Sequence, residues 1–222
     1  MSQLGLPFDW AGQAHAGQFI LSEANRMAAQ HIEQWRDWPV PISILSGPPK
    51  SGKTTLGHHF AVISGGDVID DAPRMANDQL FYRWNMARDS GRPLLLVSRD
   101  VPASWTVTLP DLRSRIAAAP HVRIEEPDDA LVHALIENGL ARAGSAYSAD
   151  LPDWLARRTE RSYAAIALLL DRLNAMSLAS TRKISVPMAK EALQNLGFLP
   201  ISGDEPASPA AHPQGEKNID NV

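Results

Sequence analysis

The sequence predicts an α/β fold: a parallel sheet with helices on both faces, followed by a small all-helical domain. Three observations carry that prediction. Residues 47–54, Gly-Pro-Pro-Lys-Ser-Gly-Lys-Thr, fit the phosphate-loop pattern G-x-x-x-x-G-K-[ST] and lie between an apolar run at 41–46 and a helical one at 55–63. Short apolar runs at 67–71, 93–98 and 121–124 then alternate with stretches of helical period, which is the pattern of βαβ units. From 127 to 199 the pattern is helical throughout.

Composition bounds the classes. A chain of 222 residues buries a core without staples, and with no cysteine it has no disulfide, thiolate metal site or cysteine nucleophile. That suits a reducing, cytoplasmic setting. No basic region followed by an apolar run opens the sequence, so no signal peptide is expected, and no apolar stretch approaches the length of a membrane span. The net charge of −4 argues against a dominant binder of phosphate backbones.

Taken in order, residues 1–18 are irregular, with Gly5, Pro7, Gly12 and Gly17. Within them Gln3-Leu4-Gly5-Leu6-Pro7-Phe8 reads either as an extended peptide for a partner's apolar pockets or as a tail folding onto its own core. Ser22 caps a helix on which Ala24, Met27, Ala28, His31 and Ile32 recur at helical spacing, with Trp35 and Trp38 closing the segment before Pro39. His31 on that face reads as packed rather than catalytic.

The run at 41–46 is a buried strand, and the loop after it has specific chemistry. Gly47 and Gly52 let the backbone curl so that several N–H groups converge on one anion. The helix N-terminus beyond adds its own unpaired N–H groups and dipole. Lys53 reaches the β- and γ-phosphates, and the Thr54 hydroxyl ligates Mg²⁺. Gly65-Gly66 ends the helix.

Asp67-Val68-Ile69-Asp70-Asp71 is a short buried strand ending in paired acids, and ligands of open parallel sheets sit at the carboxyl ends of the strands. Asp70 would face the Mg²⁺ and Asp71 would orient an attacking water; the plainer reading is that one of them caps the next helix. Residues 73–90 are that helix, with Ala76, Leu80, Trp84 and Ala87 on one face. The strand at 93–98 ends in Ser98, which either contacts the γ-phosphate and lytic water or merely begins a loop. Residues 109–116 form a short helix with Arg113 and Arg115; an arginine can stabilise the charge of phosphoryl transfer, though surface arginines are commonly just solvated. A last strand at 121–124 leads to Pro127 and Asp128, which open a helix bearing Ala130, Leu131, Ala134, Leu135 and Leu140. Helices follow at about 150–158, 161–179 and 187–195. Residues 200–222 are polar and rich in Pro, Gly and Ser, and are expected to be disordered.

This ordered series resembles the DnaA/Hda family of AAA+ ATPases over residues 3 to 199. Gln3 to Phe8 resembles that family's motif for the DNA polymerase sliding clamp, with Gln3, Leu4, Leu6, Pro7 and Phe8 as contacts. Gly47, Pro48, Pro49, Lys50, Ser51, Gly52, Lys53 and Thr54, followed by Thr55, are similar to Walker A, and Val68-Ile69-Asp70-Asp71 to Walker B. Leu109 to Ile116 resembles the arginine-bearing box VII, which puts Arg115 in the catalytic position. Phe19, Ile20 and Asn25 resemble the adenine-binding entry, Asn85 a family position on the next helix, and Ser98 sensor 1. The sensor 2 arginine is matched by Ala164, with Arg161 one turn earlier as its substitute.

The resemblance implies four segments: 1–18 with the clamp motif, an AAA+ α/β domain at 19–126, a helical lid at 127–199 and a tail at 200–222. Lys53 and Asp70 are only 17 positions apart, where the family usually has a further strand and helix, so the sheet is expected to be trimmed at an edge. The implied role is a regulatory adaptor. It would bind the sliding clamp and ADP or ATP with Mg²⁺, pair with DnaA and promote hydrolysis of DnaA-bound ATP, with weak or absent turnover of its own. In this family ADP serves better than ATP. The lid is followed by no DNA-binding domain, so direct sequence-specific DNA binding and membrane attachment are not expected; a homodimer is compatible. The competing readings are an active helicase-loader-like ATPase on single-stranded DNA, which needs a basic groove, and a small-molecule kinase, which leaves the clamp motif and lid unexplained.

Overall fold

The computed structural model describes residues 19–143 and 146–198. The clamp motif and the 200–222 tail lie outside the described residues. Four parallel strands form one sheet in the order β2-β3-β1-β4: β1 (Ile42–Ser46), β2 (Asp67–Ile69), β3 (Leu94–Ser98) and β4 (His121–Arg123). β2, which leads into the paired acids, is an edge strand, and no strand lies outside it among the described residues. β1 and β3 are buried along their whole length, as central strands covered on both faces require.

Strand alternation divides the core into two layers. Ile42, Ile44, Ile69, Leu94 and Leu96 face Leu80, Trp84 and Ala87 of α3 (Asn77–Ser90) and Leu112 and Ile116 of α4 (Pro110–Ala118). Leu45, Leu95 and Val97 face Ala28, Ala29 and Ile32 of α1 (Glu23–Glu33) and Leu56 and Phe60 of α2 (Lys53–Ser64). Four further helices, α5 (Asp129–Arg142), α6 (Leu151–Ala156), α7 (Tyr163–Ser180) and α8 (Val186–Asn195), enclose a separate core that includes Val132, Ile136, Leu155, Leu169 and Leu193. Leu131 and Tyr163 instead join the α1–α2 layer, and the Tyr163 hydroxyl donates to the Glu125 carbonyl (3.1 Å), so these two residues seat the helical part on the sheet.

Local signals explain most boundaries. Ser22 accepts from the Ala24 N–H and Asn25 returns a bond to the Ser22 N–H (2.9 Å), closing a capping box. Asp128 accepts from the Leu131 N–H at 2.7 Å, and Gly65 ends α2 at φ 64°. Three residues depart from their expected places. Met27 is 69% exposed, because the buried stripe of α1 runs through Asn25, Ala28, Ala29 and Ile32 and leaves Met27 off it. Residues 72–74 form a separate 3₁₀ turn, which leaves Ala76 exposed ahead of α3 rather than on its buried face. Ala130 is exposed beside buried Leu131 and Val132.

Candidate phosphate site at the carboxyl ends of the strands

The phosphate loop leaves β1 at Ser46 and enters α2 at Lys53 through backbone that side chains rarely adopt: φ is 155° at Gly47, 65° at Lys50 and 90° at Gly52. Two glycines also answer to space. A Cβ on Gly47 would meet the Ile124 carbonyl oxygen at 2.9 Å, and one on Gly52 the Phe19 ring at 2.8 Å. Ser51 is buried, Pro49 and Lys50 are exposed, and Thr55 is half-buried. The Lys53 ammonium donates to the carbonyls of Gly47 (2.8 Å) and Pro48, which draws the loop around the helix N-terminus. Burial lowers its pKa, Asp70 raises it, and Arg99 lowers it.

The carboxylate expected opposite the loop is there. The Thr54 hydroxyl donates to Asp70 Oδ2 at 2.9 Å, and Asp70 Oδ1 accepts from the Asp71 N–H at 2.9 Å. Asp71 adopts left-handed φ (51°), makes no side-chain cap bond and pairs with Arg74 at 3.0 Å. Ser98 lies level with Ser46 in the β1–β3 register; its buried hydroxyl donates to the Asp100 carbonyl at 2.7 Å, so it shapes the turn after β3.

Phe19, Ile20 and Asn25 cluster beside the loop. Asn25 is buried, and its amide donates to the Ile20 carbonyl (2.8 Å) while its oxygen accepts from Ser22. It acts as a fastener that holds Phe19 against Gly52. Arg161, ahead of α7, pairs with Asp129 at 2.7 Å, and Ala164 lies within α7.

Arg115 stands apart from the loop. Half-buried on α4, it donates to the Asn85 carboxamide oxygen at 2.6 Å and lies over the Phe81 ring at 4.8 Å, both on α3. Arg113 points elsewhere, donating twice to the Val107 carbonyl. Arg115 helps line a 220 Å³ recess with Val40, Ile42 and Trp84, at the end of β1 opposite the loop.

This donor set fits the phosphates of a nucleotide. The loop supplies backbone N–H groups and Lys53, and Thr54 with Asp70 is the hydroxyl–carboxylate pair suited to a hard divalent cation. Arg99, whose charge bears on Lys53, was not among the residues singled out from the sequence, although it directly follows β3.

A phosphate loop on a parallel sheet with an attached helical domain is the AAA+ architecture, and comparisons with solved structures agree. The fold matches domain III of the Thermotoga maritima replication initiator DnaA with a TM-score of 0.69 and 14% identity, over 80% of this chain and 94% of that one. DnaA from Aquifex aeolicus, bound to AMPPCP, matches with a TM-score of 0.54 and 19% identity over 69% of this chain and 62% of that one. Thermotoga maritima RuvB matches with a TM-score of 0.58 and 16% identity, over 78% of this chain and 68% of that one. A family model of the Hda lid domain matches residues 128–193, which span α5 to α8. The fold is therefore that of AAA+ proteins, and residues 128–193 are similar to the Hda lid domain.

Proposed function

We propose that this chain is a regulatory AAA+ adaptor of replication initiation: it binds adenine nucleotide at the phosphate loop, tethers to the sliding clamp through Gln3 to Phe8, and promotes hydrolysis of ATP held by DnaA. The observation that carries the reading is the pairing of an Hda-type lid with an arginine, Arg115, that Asn85 and Phe81 hold on the α3–α4 surface away from the chain's own phosphate loop. An arginine so placed serves a site on another molecule better than its own.

The nucleotide part is supported by the curled loop, Lys53 and the Thr54–Asp70 pair, and by the AMPPCP carried by DnaA structures of the same fold. Bound Mg²⁺ would neutralise phosphate charge next to Thr54 and Asp70. Asp71 and Ser98 complete the catalytic set carried by the resemblance, yet each spends its side chain on a local contact, with Arg74 and with the Asp100 carbonyl. That favours a nucleotide held over a nucleotide turned over. At the partner's site Arg115 would meet charge developing on the transferred phosphoryl group; an arginine supplied in trans is worth about 10³–10⁵ in rate.

The test has two arms. Calorimetry with Mg-ADP and Mg-ATP should give binding that Lys53→Ala abolishes. ATP-loaded DnaA on clamp-loaded DNA should hydrolyse its nucleotide faster when the intact chain is added, and not when residues 1–8 are removed. Stimulation that survives that truncation on clamp-loaded DNA refutes the tether, and no stimulation at all refutes the adaptor reading.

A further inference from the structure

The small residues that end α4 leave a recess on the α3–α4 face of the sheet. His121 opens β4 and stands opposite Ile44 in the β1–β4 register, so its ring projects on the same side as Ile44 and Ser46. There it meets the Ser46 hydroxyl at 2.7 Å. α4 covers this face with buried Leu112 and Ile116, but its last turn and cap carry only Ala117 and Ala119. The turn after β3, from Val101 to Trp105, forms the opposite wall. Between them lies a recess of 520 Å³ with Val107, Ile116 and His121 in its lining. None of residues 47–54 lines it, so it is separate from the phosphate loop.

The polar groups left over at the recess define what it would hold. Trp105 gives its Nε1–H to the Asp100 carbonyl at 3.1 Å, so the half-buried indole offers the recess its ring rather than a polar group. Arg113 gives Nε and Nη2 to the Val107 carbonyl, at 3.1 and 2.7 Å. Those two bonds fix the guanidinium at the recess and leave Nη1 uncommitted among the described residues. No carboxylate lines the recess, and none among the described residues pairs with Arg113. The surroundings are also electropositive: burial first, and then Arg123, hold the His121 pKa below its ordinary value of 6.5. Small-molecule pockets run from about 300 to 1,000 Å³, are mostly apolar and carry a few placed polar groups, and this recess meets each condition. An apolar wall with one unneutralised guanidinium suits a ligand with a flat apolar body and a single negative charge.

We propose that the recess between α4 and the turn after β3 is a second ligand site, for a small planar monoanion of the aromatic carboxylate or sulfonate class. Trp105 lies against its rings and Arg113 meets its charge. The site stands whether or not the phosphate loop holds a nucleotide.

The probe is 1-anilinonaphthalene-8-sulfonate, an aromatic body with one sulfonate, titrated by fluorescence into the full chain with and without Mg-ADP. Its neutral counterpart is N-phenyl-1-naphthylamine. The sulfonate should bind saturably in both conditions. Arg113→Ala should weaken it at least about tenfold, the scale of one lost charge-assisted bond, and change the neutral probe less than about twofold. Ala117→Phe places a ring in the recess from an exposed position and should abolish binding of both probes; Ala103→Phe, on the opposite wall, should do the same. Circular dichroism checks that each variant is folded, and either folded blocking variant suffices. No saturable binding, or binding that a folded blocking variant leaves intact, overturns the site. Equal effects of Arg113→Ala on the two probes overturn the assignment of an anion. Binding that Mg-ADP abolishes puts the probe in the phosphate loop, and binding lost in Arg115→Ala but not in Arg113→Ala puts it in the smaller recess beside Trp84; either result overturns the proposal.

Discussion

Replacing Gly52 by Ala isolates how the phosphate loop is held. Gly52 sits at φ 90° at the mouth of α2, a conformation that costs an L-residue about 1–2 kcal/mol. The new methyl would also lie 2.8 Å from Phe19, which Asn25 fastens in place, so the ring or the loop must move at a further cost of about 1 kcal/mol. Gly65→Ala is the matched control: its φ is 64° and nothing lies within 4 Å, so it pays only the backbone cost. Gly52→Ala should therefore lose about 2–3 kcal/mol, against about 1 kcal/mol for Gly65→Ala. For a chain of this size, 2 kcal/mol lowers the thermal midpoint by roughly 4–8 °C. Unfolding followed by circular dichroism measures both variants, and Phe19→Ala in the Gly52→Ala background should recover the steric part alone. Equal losses in the two glycine variants, or no coupling between positions 19 and 52, would refute the packing of Phe19 on the loop.

Three other outcomes are expected. Replacing Gln3, Leu4 and Leu6 by Ala should abolish capture by sliding clamp in a pull-down while calorimetry shows nucleotide binding intact; unchanged capture refutes the motif. Arg115→Ala breaks a half-buried bond to Asn85 and a ring contact with Phe81, so it should cost about 1–2 kcal/mol in urea unfolding, little enough to leave a folded protein. The third concerns His31, which stacks on Trp38, bonds Ser43 Oγ, and is held below its ordinary value of 6.5 by burial and then by nearby His121. The unfolded chain therefore binds the proton first, so the stability His31 contributes is present above pH 6.5 and is lost as pH falls below it. His31→Gln should flatten the fall in urea midpoint between pH 7 and 5; an unaltered slope contradicts the assignment.

What could be read from residues alone was whatever a local rule governs. The loop glycines, the Ser22 and Asp128 caps and the Gly65 stop each follow from backbone chemistry within a few positions. The Thr54–Asp70 pair was also foreseeable, because a strand ending in acids next to a phosphate loop leaves few alternatives. Ser98 was legible as a residue at a strand end, while the aim of its hydroxyl at the Asp100 carbonyl depended on the turn beyond. Met27 fitted the helical period of α1, but the width of the buried stripe was set by how the helix sits on β1 and β4.

The central claim is that Arg115 acts on a nucleotide held by a partner, and the direct measurement is the rate of hydrolysis of DnaA-bound ATP on clamp-loaded DNA. Three proteins are compared: the unaltered chain, Arg115→Ala and Arg113→Ala, with folding, nucleotide binding and clamp capture checked for each. The account predicts stimulation by the unaltered chain and by Arg113→Ala, and a loss of about 10³-fold or more, down to the unstimulated rate, with Arg115→Ala. Full stimulation by a folded Arg115→Ala protein that still captures the clamp would contradict it.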